Sequence, residues 1–131
     1  MTAKDSNCYM RVGVVEDDAL TCSMLSETIE RFGHIPFIYH DGWSFLEALT
    51  GNHQPTTSDP FDIVLLDILL PGSISGIEVL NYLHLTRPEL PLVILSAIDR
   101  HDLANIHEQF PDTRVLQKPF HLSDLRIAIE A

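Results

Sequence analysis

Five short apolar runs alternate with longer segments of helical periodicity, and this alternation leaves few folds open to the chain. Strands that alternate with helices need crossover connections, hence a parallel sheet with helices packed on its faces. The spacing predicts strands over Arg11 to Glu16, Ile35 to Tyr39, Phe61 to Leu66, Pro91 to Leu95 and Arg114 to Leu116. Their Val, Ile, Leu and Phe content fits strands covered on both faces. After the first strand, Leu20, Met24, Leu25, Thr28, Ile29 and Phe32 recur near helical spacing, and Gly33 supplies a C-terminal stop. Further helices are expected over Gly42 to Leu49, Gly76 to Thr86, Arg100 to Gln109 and from Leu122 to near the end. Pro88, Pro111 and Pro119 punctuate these units. The polar stretch Thr50 to Pro60 (TGNHQPTTSDP) reads as a long surface loop or insertion.

With 131 residues and 45% hydrophobic composition, the chain has material for one core. Residues 1–10 form a polar leader without the apolar centre of a signal peptide, and residues 11–131 are expected to form the domain. Eight Lys and Arg against 19 Asp and Glu give a net charge of −11, which argues against nucleic acid or an anionic membrane as a direct partner. No apolar run approaches the roughly 18 residues needed to cross a bilayer. Cys8 and Cys22 lack a second pair at ligand spacing, so neither a disulfide scaffold nor a zinc site is suggested, and a reducing, cytoplasmic setting fits. The seven histidines are scattered, none in a helical i, i+4 pair, and are read as surface residues.

Functional chemistry is concentrated where the predicted strands end. The run Ile63 to Leu70 (IVLLDILL) holds a single charge, Asp67, at the point where a buried strand runs out. A carboxylate there must find a cation or water, and in open α/β sheets the C-terminal strand ends face the ligand crevice. The first strand likewise delivers Glu16, Asp17 and Asp18 to that edge. In a 2-1-3-4-5 strand order these two strands are neighbours and their carboxylates converge. Converging carboxylates favour a hard divalent cation, and Mg2+ is the natural candidate. Ser96 ends the fourth strand and Lys118-Pro119 follows the fifth, adding a hydroxyl and a cation suited to phosphate oxygens. The set suits phosphoryl chemistry, with Asp67 as a carboxylate nucleophile and Mg2+, Lys118 and Ser96 balancing charge.

These segments, VGVVEDD, IVLLDILLPG, LVILSA and KPF, in this order, resemble the receiver domain of two-component response regulators, over nearly everything from Arg11 to Ala131. The resemblance implies a flavodoxin-like, doubly wound, five-stranded parallel sheet of order 2-1-3-4-5 with five helices. It implies that Asp67 is the phosphoacceptor and a metal ligand, with Glu16 and Asp17 as the acidic pair and Asp17 the more direct ligand. The backbone carbonyl of Leu69 would complete an Mg2+ site. Ser96 would be the switch hydroxyl, Ala97 the small residue beside the phosphoryl group and Lys118 the phosphate-contacting cation, followed by a cis peptide bond to Pro119. A histidine kinase or histidine phosphotransfer protein would donate the phosphoryl group, and an output domain or partner protein would read the change. In this reading the domain assists its own phosphorylation and dephosphorylation and is not an enzyme. An aspartyl-phosphate phosphatase or phosphotransferase, or a binding module that works without phosphate, are the alternatives. The first fits less well, because Asp67 is followed by Ile68-Leu69 where haloacid dehalogenase-type enzymes resemble one another in an Asp-x-Asp pair.

Several residues depart from the receiver pattern. The position three before the lysine holds Val115 in place of an aromatic ring, and Pro111-Asp112 replaces a Gly-Ala pair. The connection to the third strand is longer than usual, and Gly72 to Gly76 (GSISG) carries about one extra residue. Leu69 and Ile98, two residues after the phosphoacceptor and the hydroxyl, are apolar and could shield a phosphoryl group from water. Asp18 fits either a third acidic neighbour or a helix N-terminal residue. Trp43 and Phe45 are read as packing the second helix, with a surface role open to Trp43.

Overall fold

The computed structural model describes residues 9–51, 60–70, 72–97 and 100–130. The leader through Cys8, most of the stretch between Thr50 and Pro60, and Ile98 lie outside the described residues. The chain runs β1 (Arg11–Val15), α1 (Ala19–Arg31), β2 (Ile35–Tyr39), α2 (Gly42–Thr50), β3 (Ile63–Asp67), α3 (Gly76–Thr86), β4 (Leu92–Ser96), α4 (Arg100–Gln109), β5 (Arg114–Gln117) and α5 (Leu122–Glu130). All strand pairings are parallel, in the order β2-β1-β3-β4-β5. The expected sheet order and all five expected helices are therefore present.

Strand periodicity sorts the core into two layers. Val12, Val14, Ile63, Leu65, Val93 and Leu95 face Leu25 and Ile29 of α1 and Leu125 and Ile129 of α5. Val15, Val64, Leu66 and Ile94 face Phe45 of α2, Val79, Leu80 and Leu83 of α3, and Ile106 of α4. Successive side chains of a strand point to opposite faces, so the near-continuous apolar runs of β1, β3 and β4 serve both layers at once. The two edge strands depart from the expected double burial. Ile35 and Phe37 of β2 and Arg114 and Gln117 of β5 are exposed, because each edge strand has a neighbour on one side only.

Strand boundaries shift for local reasons. β1 stops at Val15, one residue short of the expected end, although the Glu16 N–H still donates to the Tyr39 carbonyl at 2.9 Å. β3 starts two residues later than expected. Phe61 turns inward and stacks on Phe45 at 5.6 Å between ring centroids, and Asp62 is taken by Arg11. Pro91, which has no N–H for the ladder, precedes β4 and accepts from Val64 N–H at 3.0 Å. β5 runs one residue further, to Gln117.

Caps set the helix ends. Asp18 caps α1, accepting from Thr21 N–H at 2.8 Å and Thr21 Oγ1–H at 2.6 Å, which settles its role as a helix N-terminal residue. Gly33, at φ +91°, follows the helix as expected. Ser75 and Glu78 form a reciprocal capping box at α3.

At the N-terminal edge of the sheet, two polar ties close the domain. One corrects the surface reading of the histidines: His34 is buried, its Nδ1 accepts from Met10 N–H at 3.0 Å, and its Nε2 pairs with Glu130 Oε2 at 2.8 Å. With Nδ1 acting as acceptor, the neutral ring carries its proton on Nε2 and donates it to the carboxylate. The other tie is the fork of Arg11 on Asp62, at 3.0 Å from Nη2 to Oδ1 and 3.2 Å from Nε to Oδ2. The Arg11 hydrogen bonds hold the Asp62 carboxyl below its ordinary range. A carboxyl depressed in the folded state adds stability above its unfolded pKa and loses it as pH falls through the folded value. Asp62→Asn is therefore expected to lower the urea midpoint at pH 7, with wild type and variant converging below about pH 4. The effect is modest, since both side chains are about 40% exposed. Equal separation of the two midpoints at pH 7 and pH 3 would rule out this charge contribution.

Candidate functional site

The C-terminal edge of the sheet collects the polar groups that the core excludes. β1 and β3 are adjacent, with Val15 opposite Leu66, so Glu16 and Asp67 leave neighbouring strands at the same level. Asp67 is 4% exposed and Glu16 is 1% exposed, whereas Asp17 is on the surface. One carboxylate oxygen from each of Glu16, Asp17 and Asp67 lies within 4.8 Å of the others. Lys118, just beyond β5, reaches over this group and donates to Glu16 Oε1 at 2.7 Å and Asp67 Oδ2 at 3.3 Å.

The Glu16 and Asp67 carboxylates are each held from more than one direction. Glu16 Oε2 accepts from Asp18 N–H at 3.2 Å, and the Glu16 carbonyl accepts from the buried Cys22 thiol at 3.0 Å. Asp67 Oδ1 accepts from Leu69 N–H at 2.9 Å, which ties the start of the following loop to the side chain. Ser96 ends β4 one residue beyond Leu95, the partner of Asp67, and is fully buried. Its carbonyl accepts from Lys118 N–H at 2.6 Å, and Ala97 follows on the surface. The Lys118-Pro119 peptide bond is cis, as the resemblance implies.

Burial pushes the Glu16 carboxyl above its ordinary range; the Lys118 bond opposes this, while Asp67 adds to it. Burial pulls the Lys118 ammonium down, but its bond to Glu16 and the charges of Asp67 and Glu16 outweigh that, leaving it raised. Among the described residues, three carboxylates gather beside one ammonium and carry more negative charge than it neutralises. The donors are all hard oxygens on two rigid strand ends, and this set fits a hard divalent cation.

Of the residues singled out from sequence, Glu16, Asp17 and Asp67 come together at the ends of β1 and β3, and Lys118 reaches Glu16 and Asp67. Leu69, whose N–H is bonded to Asp67, is 56% exposed. Two contributors escaped sequence reading. Gly76 packs against the end of β3, where a Cβ would lie 2.5 Å from the carbonyl oxygens of both Asp67 and Ile68. Cys22 braces the Glu16 carbonyl from below. A glycine at the first position of a capped helix was the available signal for Gly76; nothing in the sequence marked Cys22.

A family model for the response regulator receiver domain matches residues 12–130. The chain belongs to that family. It is a receiver domain of the two-component response regulator type, and curated relatives agree. It is 31% identical over 122 residues to the transcriptional regulatory protein QseB of Haemophilus influenzae, covering 93% of this chain and 52% of the relative. It is 29% identical over 120 residues to the response regulator receiver protein CpdR of Brucella abortus, covering 92% and 93%. A cyclic di-GMP phosphodiesterase of Thermotoga maritima is 28% identical over 120 residues, which are 92% of this chain and 30% of that protein. The receiver domain thus spans about half or less of several relatives it matches, and nearly all of CpdR. Among solved structures, the receiver domain of Francisella response regulator 1452 superposes with a TM-score of 0.76 at 24% identity, covering 92% of this chain and 93% of that one. A CheY-like receiver domain from Methanospirillum hungatei gives 0.77 at 21% identity, covering 92% and 90%. These two likenesses carry the fold. No helix among the described residues is long and apolar enough to cross a membrane.

Proposed function

We propose that this receiver domain accepts a phosphoryl group on Asp67 and that the modified domain changes its affinity for a partner. The observation that carries this reading is the buried Asp67 carboxylate at a central strand end, 3.3 Å from the Lys118 ammonium and within 4.8 Å of the Glu16 and Asp17 oxygens. An Asp67 oxygen attacks phosphorus as the bond to the donor's imidazole nitrogen breaks, and the nitrogen's electron pair stays with the imidazole. Lys118 balances charge on the transferred group, Ser96 offers a hydroxyl to its oxygens, and Ala97 leaves room beside it. Asp17 and Asp67, with Glu16 and the Leu69 carbonyl, would hold Mg2+, which when bound supplies charge neutralisation at the phosphoryl oxygens. The donor is a histidine kinase or histidine phosphotransfer protein, and the reader an output domain or partner protein. Net charge and the lack of clustered cations favour protein partners over nucleic acid or membrane, and the two scattered cysteines fit a cytoplasmic setting.

The domain then acts as a switch, biasing an existing equilibrium through its modified site. Acetyl phosphate with Mg2+, followed by intact mass, tests this directly. A single stable phosphoryl adduct supports the switch, rapid multiple turnover would make the domain an enzyme, and no adduct would leave a phosphate-independent binding module. For the metal, Asp17→Asn is expected to weaken Mg2+ binding by about tenfold or more in calorimetry, since it removes a charged ligand from a site that is not a complete cage. Unchanged affinity in this variant would remove Asp17 from the site.

A further inference from the structure

The loop leaving β3 is tied down at both ends beside the acidic pocket. Leu69 N–H is bonded to Asp67 Oδ1 at 2.9 Å, and Gly76 lies against the Asp67 and Ile68 carbonyls. From there the loop reaches sideways to α2. Ile74 occupies the notch left by Gly42, where a Cβ would lie 3.0 Å from Ile74 Cγ2. Next to it, Trp43 Nε1–H donates to Ser73 Oγ at 3.0 Å. Trp43 is 62% exposed, so burial does not fix this ring. Its polar handle is committed to the loop hydroxyl, while the next serine, Ser75, is used in the α3 capping box.

We propose that Trp43 is a positioning residue: through Ser73 it holds the loop that carries Leu69, and so couples occupation of the acidic pocket to an exposed indole at the start of α2. This rests on the phosphoacceptor reading above and adds a route by which the site communicates with the surface. A loop held before binding loses less freedom when its Leu69 carbonyl is engaged, so the Trp43–Ser73 bond strengthens metal binding. Linkage makes the effect reciprocal: binding at the pocket shifts the environment of the indole. One hydrogen bond of this kind corresponds to about a two- to tenfold change in affinity.

The test uses the full chain as wild type, Ser73→Ala and Trp43→Phe. Mg2+ affinity is read by calorimetry, thermal midpoint by circular dichroism, and phosphorylation by intact mass after acetyl phosphate. Tryptophan emission is followed on adding Mg2+ and then beryllofluoride, with Trp43 as the sole tryptophan. Both variants are expected to bind Mg2+ about two- to tenfold more weakly at an unchanged thermal midpoint. Wild-type emission is expected to respond to both additions, and Ser73→Ala to lose most of that response. Unchanged Mg2+ affinity in both variants overturns the proposal, whether or not the midpoint falls, as does an emission response that is absent in wild type or intact in Ser73→Ala. If wild type takes up no phosphoryl group, the phosphoacceptor reading fails and this coupling with it. If wild type is phosphorylated while the variants bind Mg2+ as wild type does, the coupling alone fails.

Discussion

Asp67→Asn is expected to abolish the phosphoryl adduct formed with acetyl phosphate and Mg2+, the largest functional effect of any substitution in this domain. The amide is a far weaker nucleophile than the carboxylate and forms no acyl phosphate, so nothing at this strand end replaces it. The fold should survive. Asp67 is buried beside Glu16, and its negative charge is one of the influences that raise the Glu16 carboxyl. Removing that charge relieves the repulsion with buried Glu16 and gives up the longer 3.3 Å pairing with Lys118, which keeps its 2.7 Å bond to Glu16. A carboxyl whose folded pKa is raised subtracts stability as pH rises through the folded value, so lowering that value favours the folded state above it. Asp67→Asn is accordingly expected to have a thermal midpoint at neutral pH, without Mg2+, no lower than wild type. Adding Mg2+ should raise the midpoint of wild type more than that of the variant, by mass action on the folded state. An adduct of undiminished yield in Asp67→Asn would move the phosphoacceptor elsewhere.

The parts of this architecture that could be read from sequence are those governed by local pattern. Apolar runs at Arg11–Val15, Ile63–Asp67 and Leu92–Ser96 announce central strands, because only strands covered on both faces tolerate so little polar alternation. Asp67 stands out for the same reason: one carboxylate in IVLLDILL must lie where the strand meets solvent or a cation. The edge strands misled because β2 has the same apolar content as the centre, and only its place in the sheet exposes Ile35 and Phe37. His34 was illegible because both partners are distant in sequence, Met10 by 24 residues and Glu130 by 96. No local spacing marks such a buried histidine as different from a surface one. The Trp43–Ser73 bond belongs to the same category: two polar groups on different elements, 30 residues apart, meet only once the sheet has placed α2 beside the loop.

Gly76→Ala sets two opposing physical effects against each other, and their magnitudes decide the sign. Helix propensity alone favours the alanine by roughly 1 kcal/mol in a helix interior, and by less at the first position of α3. Against this, the added Cβ would lie 2.5 Å from two main-chain oxygens, those of Asp67 and Ile68. Neither oxygen belongs to a side chain that could rotate away. Asp67 is paired with Leu95 in the sheet, and the Ile68 N–H donates to the Leu95 carbonyl at 3.2 Å. Relief therefore requires α3 to back away from β3, and Val79, Leu80 and Leu83 of α3 are all fully buried in one core layer. Overpacking of this kind costs about 1–3 kcal/mol when side chains can adjust, and a rigid obstacle puts this case at the upper end. A net loss of about 2–3 kcal/mol in urea unfolding is expected. Function should suffer separately from stability, because the obstructed atoms include the Asp67 carbonyl and the first residue of the loop that carries Leu69. Phosphorylation measured well below the variant's unfolding temperature should be slower than in wild type. A variant as stable as wild type would show that α3 can move off the strand end at little cost, and Gly76 would then not be what fixes the loop beside Asp67.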